Sequence, residues 1–433
     1  VTGDWDAAPS RLEQRLSVSL ICVAILHFVG FAFVLWATRI QAPFMDMLSW
    51  LDTYRQYTET GGVAAYAFSF FHEHRLVWVR GLTALDASVF RSSGLAFVAA
   101  ASVALAGVAV LLTLEFVRSV PAKGPRWALV LLCPMLILTA GNAVDCSVPV
   151  NCVYPLTVLF VVAACVLFDG AGETRRWCAL VMAGGAGFAN ALGLLAWPVL
   201  LWVAWRGRAG WRWMCVVAAV GTVYSLAYLS GVASTGGVAP VSTVGHLIKL
   251  LAYMVAYLGL PVSRVAPVPG TVFGAVVLAG SVLAVVWCTV ARSVTRLERI
   301  ATGLILFSLG GAALAAVGRS HFTSVIELPV RYTMLVTPLH VGLLALVLPP
   351  AMRAFDPRPG VLMGGGLAVA VGLLGQQVLG GRSAIAAADT MRATLVRYYA
   401  GAHDAQIQQL VFPDLNEADA IVSRLRGAGM LGD

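Results

Sequence analysis

The stretch PFMDMLSWLDTYRQYTETGGVAAYAFSFFHEHRLVWVRGLTALDASVFR, residues 43–91, is the segment around which the rest of the chain is organised. It is the longest polar-containing segment between the apolar runs, and it follows the first of them directly. Five of the chain's 21 acidic residues lie in it: Asp46, Asp52, Glu59, Glu73 and Asp86. His72 and His74 flank Glu73, and Arg75 follows. Phe44, Trp50, Tyr54, Phe70, Phe71 and Trp78 make the segment too aromatic for a solvated linker. Leu48, Leu51, Tyr54 and Thr58 recur at helical spacing, which predicts an amphipathic helix in a membrane interface, where aromatic rings are favoured. Gly61 and Gly62 end that helix, and a second is expected from Val63 to Leu85.

Outward from this stretch the chain is apolar. Hydrophobic residues make up 59% and charged residues 12%, with a mean hydropathy of +0.85. The charged share is about half the usual globular value. The apolar runs reach the roughly 20 residues that a helix needs to cross a hydrocarbon core of about 30 Å. Only a helix satisfies every backbone group locally there, and no ten-residue alternation of a membrane barrel is present. The fold class is therefore an all-α polytopic membrane protein. Only Lys123 and Lys249 among 29 basic residues are lysines, a bias expected of a high-GC bacterial genome.

Eleven spans are expected. They are 17–37, 93–116, 127–141, 153–168, two short arms within 178–205, 213–231, 271–291, 300–317, 333–348 and 361–379. The first is read as a retained anchor. Residues 178–205 have basic loops at both ends (Arg175 and Arg176; Arg206, Arg208 and Arg212), so a hairpin broken near Gly187–Gly193 around Asn190 keeps both loops on one face. Residues 246–260, with His246 and Lys249, are placed as an interfacial or re-entrant helix.

With the N-terminus inside, the inner segments also hold Arg11, Arg15, Arg118, Lys123, Arg126, Arg292, Arg296, Arg299, Arg353 and Arg358, as the positive-inside rule requires. Outer loop 142–152 then has no basic residue, and outer loop 318–332 has Arg319 and Arg331. The net charge of +8 is mostly this topology signal, and no nucleic-acid partner is implied. Residues 1–379 form the transmembrane domain, and 380–433 a small external helical appendage with helices at 383–400 and 416–430, the latter capped by Asn416.

Three groups outside the spans are chemical candidates. The first is Asp46 with Asp52, His72, Glu73, His74 and Arg75, with an ion pair from Glu73 to Arg75 or Arg80 as the purely structural alternative. The second, GRSHFTSVIELPVRY (318–332), carries Arg319, His321, Glu327, Arg331 and Tyr332, and arginine offers planar donors suited to phosphate. The third is Asp145, where a solvated carboxylate is the plainer reading. Cys146 and Cys152 bracket five residues, and a disulfide there is left open. The other six cysteines read as packing residues. His72 and His74, two apart, fall on different helix faces, so no metal site is read there.

A first span, a long external stretch with an early acid and interfacial helices, many further spans, a late external Arg-Tyr pair and a small external end together resemble the C-type (GT-C) glycosyltransferases. The pieces that carry the resemblance are PFMDMLSWLDTY (43–54), FFHEHR (70–75), FANALGLLAWP (188–198) and GRSHFTSVIELPVRY (318–332). Asp46–Met47 stands where many members carry paired acids, and the loop holding Asp145 has one acid only.

The resemblance implies a bacterial inner-membrane enzyme, inverting, with its site facing the periplasm. It would move sugar from a polyprenyl-phosphate donor to an extracytoplasmic glycan, lipid or protein acceptor. The attacking hydroxyl must lose a proton, so a carboxylate is needed within hydrogen-bond reach. The resemblance makes Asp46 that base, with Glu73 as the alternative. Arg319, Arg331 and Tyr332 would hold the donor phosphate, whose growing charge needs donors. Asp52, His72, His74, Arg75, Asp145 and His321 would line the substrates. No organic cofactor is called for, and a divalent metal is left open. Two other classes compete: a lipid or small-molecule transporter or flippase, disfavoured because the charges avoid mid-span, and a membrane O-acyltransferase with His72 or His74 as base.

Overall fold

The computed structural model describes residues 10–71, 74–119, 124–170, 172–230, 244–263, 267–319, 332–355, 359–412 and 414–431. Among these, all regular structure is helical, apart from one isolated backbone bridge between Phe71 and His74. The chain opens with α1 (Arg11–Ala37), then the short helices α2 (Asp46–Thr60), α3 (Val63–Phe68) and α4 (Val77–Val89). Next come α5 (Leu95–Ser119), a 3-10 run Gly124–Leu131, α6 (Leu132–Ile137), α7 (Ala140–Ser147), a 3-10 turn Pro149–Cys152 and α8 (Val153–Phe168). A hairpin of α9 (Glu173–Ala189) and α10 (Ala196–Arg206), joined by the 3-10 turn Ala191–Leu195, leads to α11 (Trp211–Leu229). The second half holds α12 (Val244–Leu258), α13 (Leu260–Ser263), α14 (Pro267–Val290), α15 (Arg296–Arg319), α16 (Thr333–Ala354) and α17 (Pro359–Tyr399). The chain finishes with α18 (Ala405–Val411) and α19 (Leu415–Gly427).

Eight described helices are long and apolar enough to cross a membrane, nine if the bent pair Arg126–Ile137 and Ala140–Ser147 counts as one span. The chain is an all-α polytopic membrane protein. The difference from eleven lies in the arms of the 178–205 hairpin. With 17 and 11 residues, both fall short of the roughly 20 needed for a straight crossing. The break falls at Asn190, whose extended backbone (φ −161°, ψ 149°) and side chain, accepting from Leu192 N–H at 3.0 Å, start the 3-10 turn. Gly193 makes the reversal possible, because a Cβ there would collide with the Ala186 carbonyl of the incoming arm. The 15-residue α12 is also too short to cross upright. It packs on α14 and α15.

The basic segments gather at one end of the bundle. Ser10 and Glu13 form a capping box at the start of α1, and Glu13 pairs with Arg126 at 3.6 Å. Glu115, at the end of α5 and fully buried, receives Arg296 from α15 at 2.8 and 3.2 Å and Arg118 at 2.9 Å. Asp169 receives a bidentate Arg299 at 2.7 and 2.9 Å. Arg208 donates to the Arg292 carbonyl at 3.4 Å, tying the end of the hairpin to the link between α14 and α15. Helices α2, α3 and α4 lie at the opposite end, against the starts of α5 and α8 and the break of the hairpin.

Three expectations change. The helix foreseen over Val63–Leu85 is two, α3 and α4. Ser69 is extended (φ −61°, ψ 145°), and Phe71 and His74 exchange backbone hydrogen bonds of 2.8 and 3.0 Å, a pairing that an α-helix does not make. The span 361–379 and the tail helix 383–400 are one helix, α17, of 41 residues. A straight helix of that length measures about 61 Å, twice a bilayer core. Asp414, not Asn416, caps the last helix, accepting from Asn416 and Glu417 N–H. In the tail, Ile407, Val411, Ile421 and Leu425 are buried.

Cys146 and Cys152 are free and fully buried, because the residues between them wind into the end of α7 and a 3-10 turn inside the core. Cys133, Cys165 and Cys288 are likewise buried among the spans, whereas Cys22, Cys178 and Cys215 lie on the outside of the bundle.

Candidate functional site

The segment joining α1 to α2 is held along its whole length. Thr38 donates to Ser147 Oγ at 2.7 Å, and Ile40 N–H reaches the Ser147 carbonyl at 3.5 Å. From α17, Arg392 Nη1 donates to the carbonyls of Ala37 and Arg39 at 2.8 and 3.2 Å, and the Tyr399 hydroxyl donates to that of Pro43 at 2.7 Å. Met45 N–H then donates to the Val411 carbonyl of α18 at 2.7 Å. These ties hold Met45 at φ 47°, a left-handed setting for a side-chain-bearing residue, at a typical cost of about 1–3 kcal/mol. Asp46 is the next residue. It opens α2, is half-buried, and has its charge at the helix end where a carboxylate is favoured. Met47 and Leu48, buried behind it, fix the helix against the bundle.

Asp52 is taken up by the tail. Arg424 of α19 grips it at 3.2 and 2.9 Å, Arg55 at 3.0 Å and Gln56 at 3.2 Å. Burial pushes this carboxyl up, but the hydrogen bonds from Arg424 and Arg55 outweigh it and hold the group below the usual carboxylate range. These bonds make Asp52 a link between α2 and α19.

Arg75 also has a structural occupation. Its Nε and Nη2 donate to the carbonyls of Tyr228 and Ser230 at 2.9 and 2.6 Å, closing the C-terminus of α11 where a cation is favoured. Nη1 donates to the Phe68 carbonyl at 2.9 Å, and the guanidinium lies 4.0 Å from the Phe70 ring centre. His74 Nδ1 accepts from Ala191 N–H at 3.3 Å, so the turn after α3 is docked on the break of the α9–α10 hairpin. Trp78 continues the docking through Nε1 to the Gly185 carbonyl at 3.0 Å. FFHEHR and FANALGLLAWP, 117 residues apart by this bond, are neighbours.

Asp145 is not a solvated loop acid. It lies in α7, fully buried, and accepts from Met334 N–H at 3.3 Å in the first turn of α16. Asn142, one turn earlier, donates to Thr337 Oγ1 at 2.9 Å. Tyr332, buried at the start of α16, meets Tyr257 at 5.4 Å and Tyr154 at 5.8 Å between ring centres. His72, Glu73, His321, Glu327 and Arg331 lie outside the described residues. Of Arg319 only the backbone at the end of α15 is described. Among the described residues no group of three or more His, Cys, Asp or Glu is placed to hold a metal ion.

Two charged residues that were not among the expected site residues are buried. Arg80 is 2% exposed on α4, with its guanidinium 5.3 Å from the Tyr66 ring centre and, among the described residues, no hydrogen bond from Nε or Nη1. Its place on the inward face of an amphipathic helix was the available signal. Asp86, fully buried, accepts from Gly94 and Ala96 N–H at 2.8 and 3.0 Å and so caps α5. Comparison with family models, with curated proteins and with solved structures finds no match.

Proposed function

We propose that this chain is a membrane glycosyltransferase that moves a sugar from a polyprenyl-phosphate donor to an extracytoplasmic acceptor, with Asp46 as general base. The observation that carries the reading is the placement of Asp46. It is a half-buried acid at the start of a helix, just beyond a membrane-length span, in a segment tied to α7, α17 and α18. Immobilising a base in this way is what abstraction of a hydroxyl proton requires. The left-handed Met45 beside it is a local strain of the kind that gathers at working sites.

In this reading the acceptor arrives from the end that carries α2–α4, taken as the periplasmic face of the inner membrane. Arg319 and Arg331, from the late segment before Tyr332, hold the leaving phosphate. Glu73 is the alternative base. Asp46→Asn keeps shape and hydrogen bonding and removes basicity, so lipid binding in purified, detergent-extracted protein stays normal. Sugar transfer falls by about 10²–10⁴. Wild-type transfer by Asp46→Asn together with loss in Glu73→Gln would move the base to Glu73.

A further inference from the structure

At the basic end of the bundle a cavity of about 380 Å³ opens between the end of α10 and the link from α14 to α15. Arg206, Arg208, Arg292 and Arg299 line it, and among the described residues no carboxylate does. Arg299 is fully occupied: Nε and Nη2 hold Asp169, and Nη1 donates to the Val294 carbonyl at 2.6 Å. The other three are not. Arg206 donates from Nη2 to the Ala291 carbonyl at 2.6 Å, and its buried Nε has no acceptor among the described residues. Arg208 makes the one bond to the Arg292 carbonyl. The ion pairs described at this end run instead from Arg118, Arg126, Arg296 and Arg299. Glu298, close by in the chain, caps α15 by accepting from Thr295 N–H at 2.6 Å. A cation is favoured at a helix C-terminus, which accounts for the bonds at the end of α14. Those bonds leave most N–H donors of Arg206 and Arg208 unused.

We propose that this cavity is a phosphate site, taking one phosphate group on Arg206, Arg208 and Arg292 with Ser293 at its rim. Guanidinium forks match the oxygens of a phosphate, and the charge-assisted bonds they make to it are strong. Like charges around one cavity repel, and an anion between them removes that cost. Trp205, 45% exposed, also lines the cavity, with its ring centre 5.3 Å from the Arg206 guanidinium. Tryptophan is favoured at head-group depth, so the phosphate of an anionic lipid reaches the site as readily as a soluble one. A positive-inside signal asks only for basic residues on this face and not for a shared cavity. Arg175 and Arg212 are such residues, exposed and outside the lining. The site is independent of the sugar-transfer reading, since it uses neither Asp46 nor the residues assigned to the donor.

The test uses the full chain in an uncharged maltoside detergent, stripped of copurifying lipid. Sodium pyrophosphate is titrated at constant ionic strength with thermal unfolding as the readout. Phosphatidylglycerol and phosphatidylcholine are compared by native mass spectrometry. Saturable binding of pyrophosphate, or a preference for phosphatidylglycerol, is expected. Pyrophosphate alone identifies a soluble phosphate compound as the occupant, and selective phosphatidylglycerol binding identifies a lipid head group. Arg208→Gln with Arg292→Gln removes two exposed cations, and Ser293→Asp sets an acid at the rim. Each change should weaken that binding about tenfold or more. Arg175→Gln with Arg212→Gln removes the same charge outside the cavity and should leave binding within about twofold. The proposal is overturned if neither probe binds as stated, if the two double variants weaken binding equally, or if Ser293→Asp leaves it unchanged.

Discussion

Arg424 closes on Asp52 through two parallel hydrogen bonds, Nε to Oδ1 at 3.2 Å and Nη2 to Oδ2 at 2.9 Å, across 372 residues of sequence. Through this pair the last helix of the chain holds the first helix after α1. The tail is thereby part of what positions α2, and through α2 the carboxylate of Asp46. Tyr399 and Val411, bound to Pro43 and Met45, extend the same hold to the segment before it.

Arg424→Ala should loosen α19 from α2 at a cost of about 1 kcal/mol, the upper range for a partly exposed pair. Hydrogen exchange should rise in 415–427 and in 46–60 together. The Asp52 carboxyl is held below its ordinary value, so its contribution is fully present above about pH 4 and is lost as pH falls through the lowered folded value. Protection of 415–427 should therefore be flat from neutral pH to about 4 and decline only below it. A decline beginning near pH 6 would exclude Asp52 as the controlling group.

Arg75→Lys keeps the charge and loses the fork that reaches Phe68, Tyr228 and Ser230 at once. A lowered melting temperature in detergent is expected, equivalent to about 1–2 kcal/mol, with transfer reduced only in proportion to folded protein. Unchanged melting with transfer abolished would give Arg75 back a role at the substrate.

For Asp145, the bond to Met334 N–H asks for an oxygen acceptor, which the amide of an Asp145→Asn variant would still supply. That substitution should cost up to about 1 kcal/mol and Asp145→Leu about 1–3, since the latter strands a buried donor. Thermal unfolding of both variants in detergent ranks them. If Asp145→Asn is as stable as the parent yet inactive, the carboxylate serves chemistry and not the start of α16.

At the opposite end, Glu115→Gln removes the carboxylate shared by Arg296 and Arg118, both of which still reach water. Arg296 keeps Asp169 at 3.6 Å and the Val166 carbonyl at 2.8 Å, so the loss in thermal unfolding should be about 1 kcal/mol. A loss of several kcal/mol would show that Glu115 is the main anchor of Arg296.

What the amino-acid sequence determined by itself was the class and the order of elements. Apolar runs near 20 residues leave a chain no option but membrane helices, because backbone groups in hydrocarbon have to be satisfied within each segment. The Gly61–Gly62 stop of α2 and the break at Asn190 are equally local: Gly61 takes φ 80°, and Asn190 bonds its own next turn. Tertiary structure alone decided the fate of the polar residues. Nothing local in the sequence shows that Asp52, Arg75 and Asp145 each meet a distant partner: Arg424, the end of α11 and the start of α16. No spacing along the chain records partners 372, 153 or 189 residues away. The same holds for α17, whose second half reads as part of an external appendage and is one helix with the last span. Arg392 and Tyr399 pack it onto the segment leading to Asp46, and those contacts exist only once α1 and α17 lie side by side.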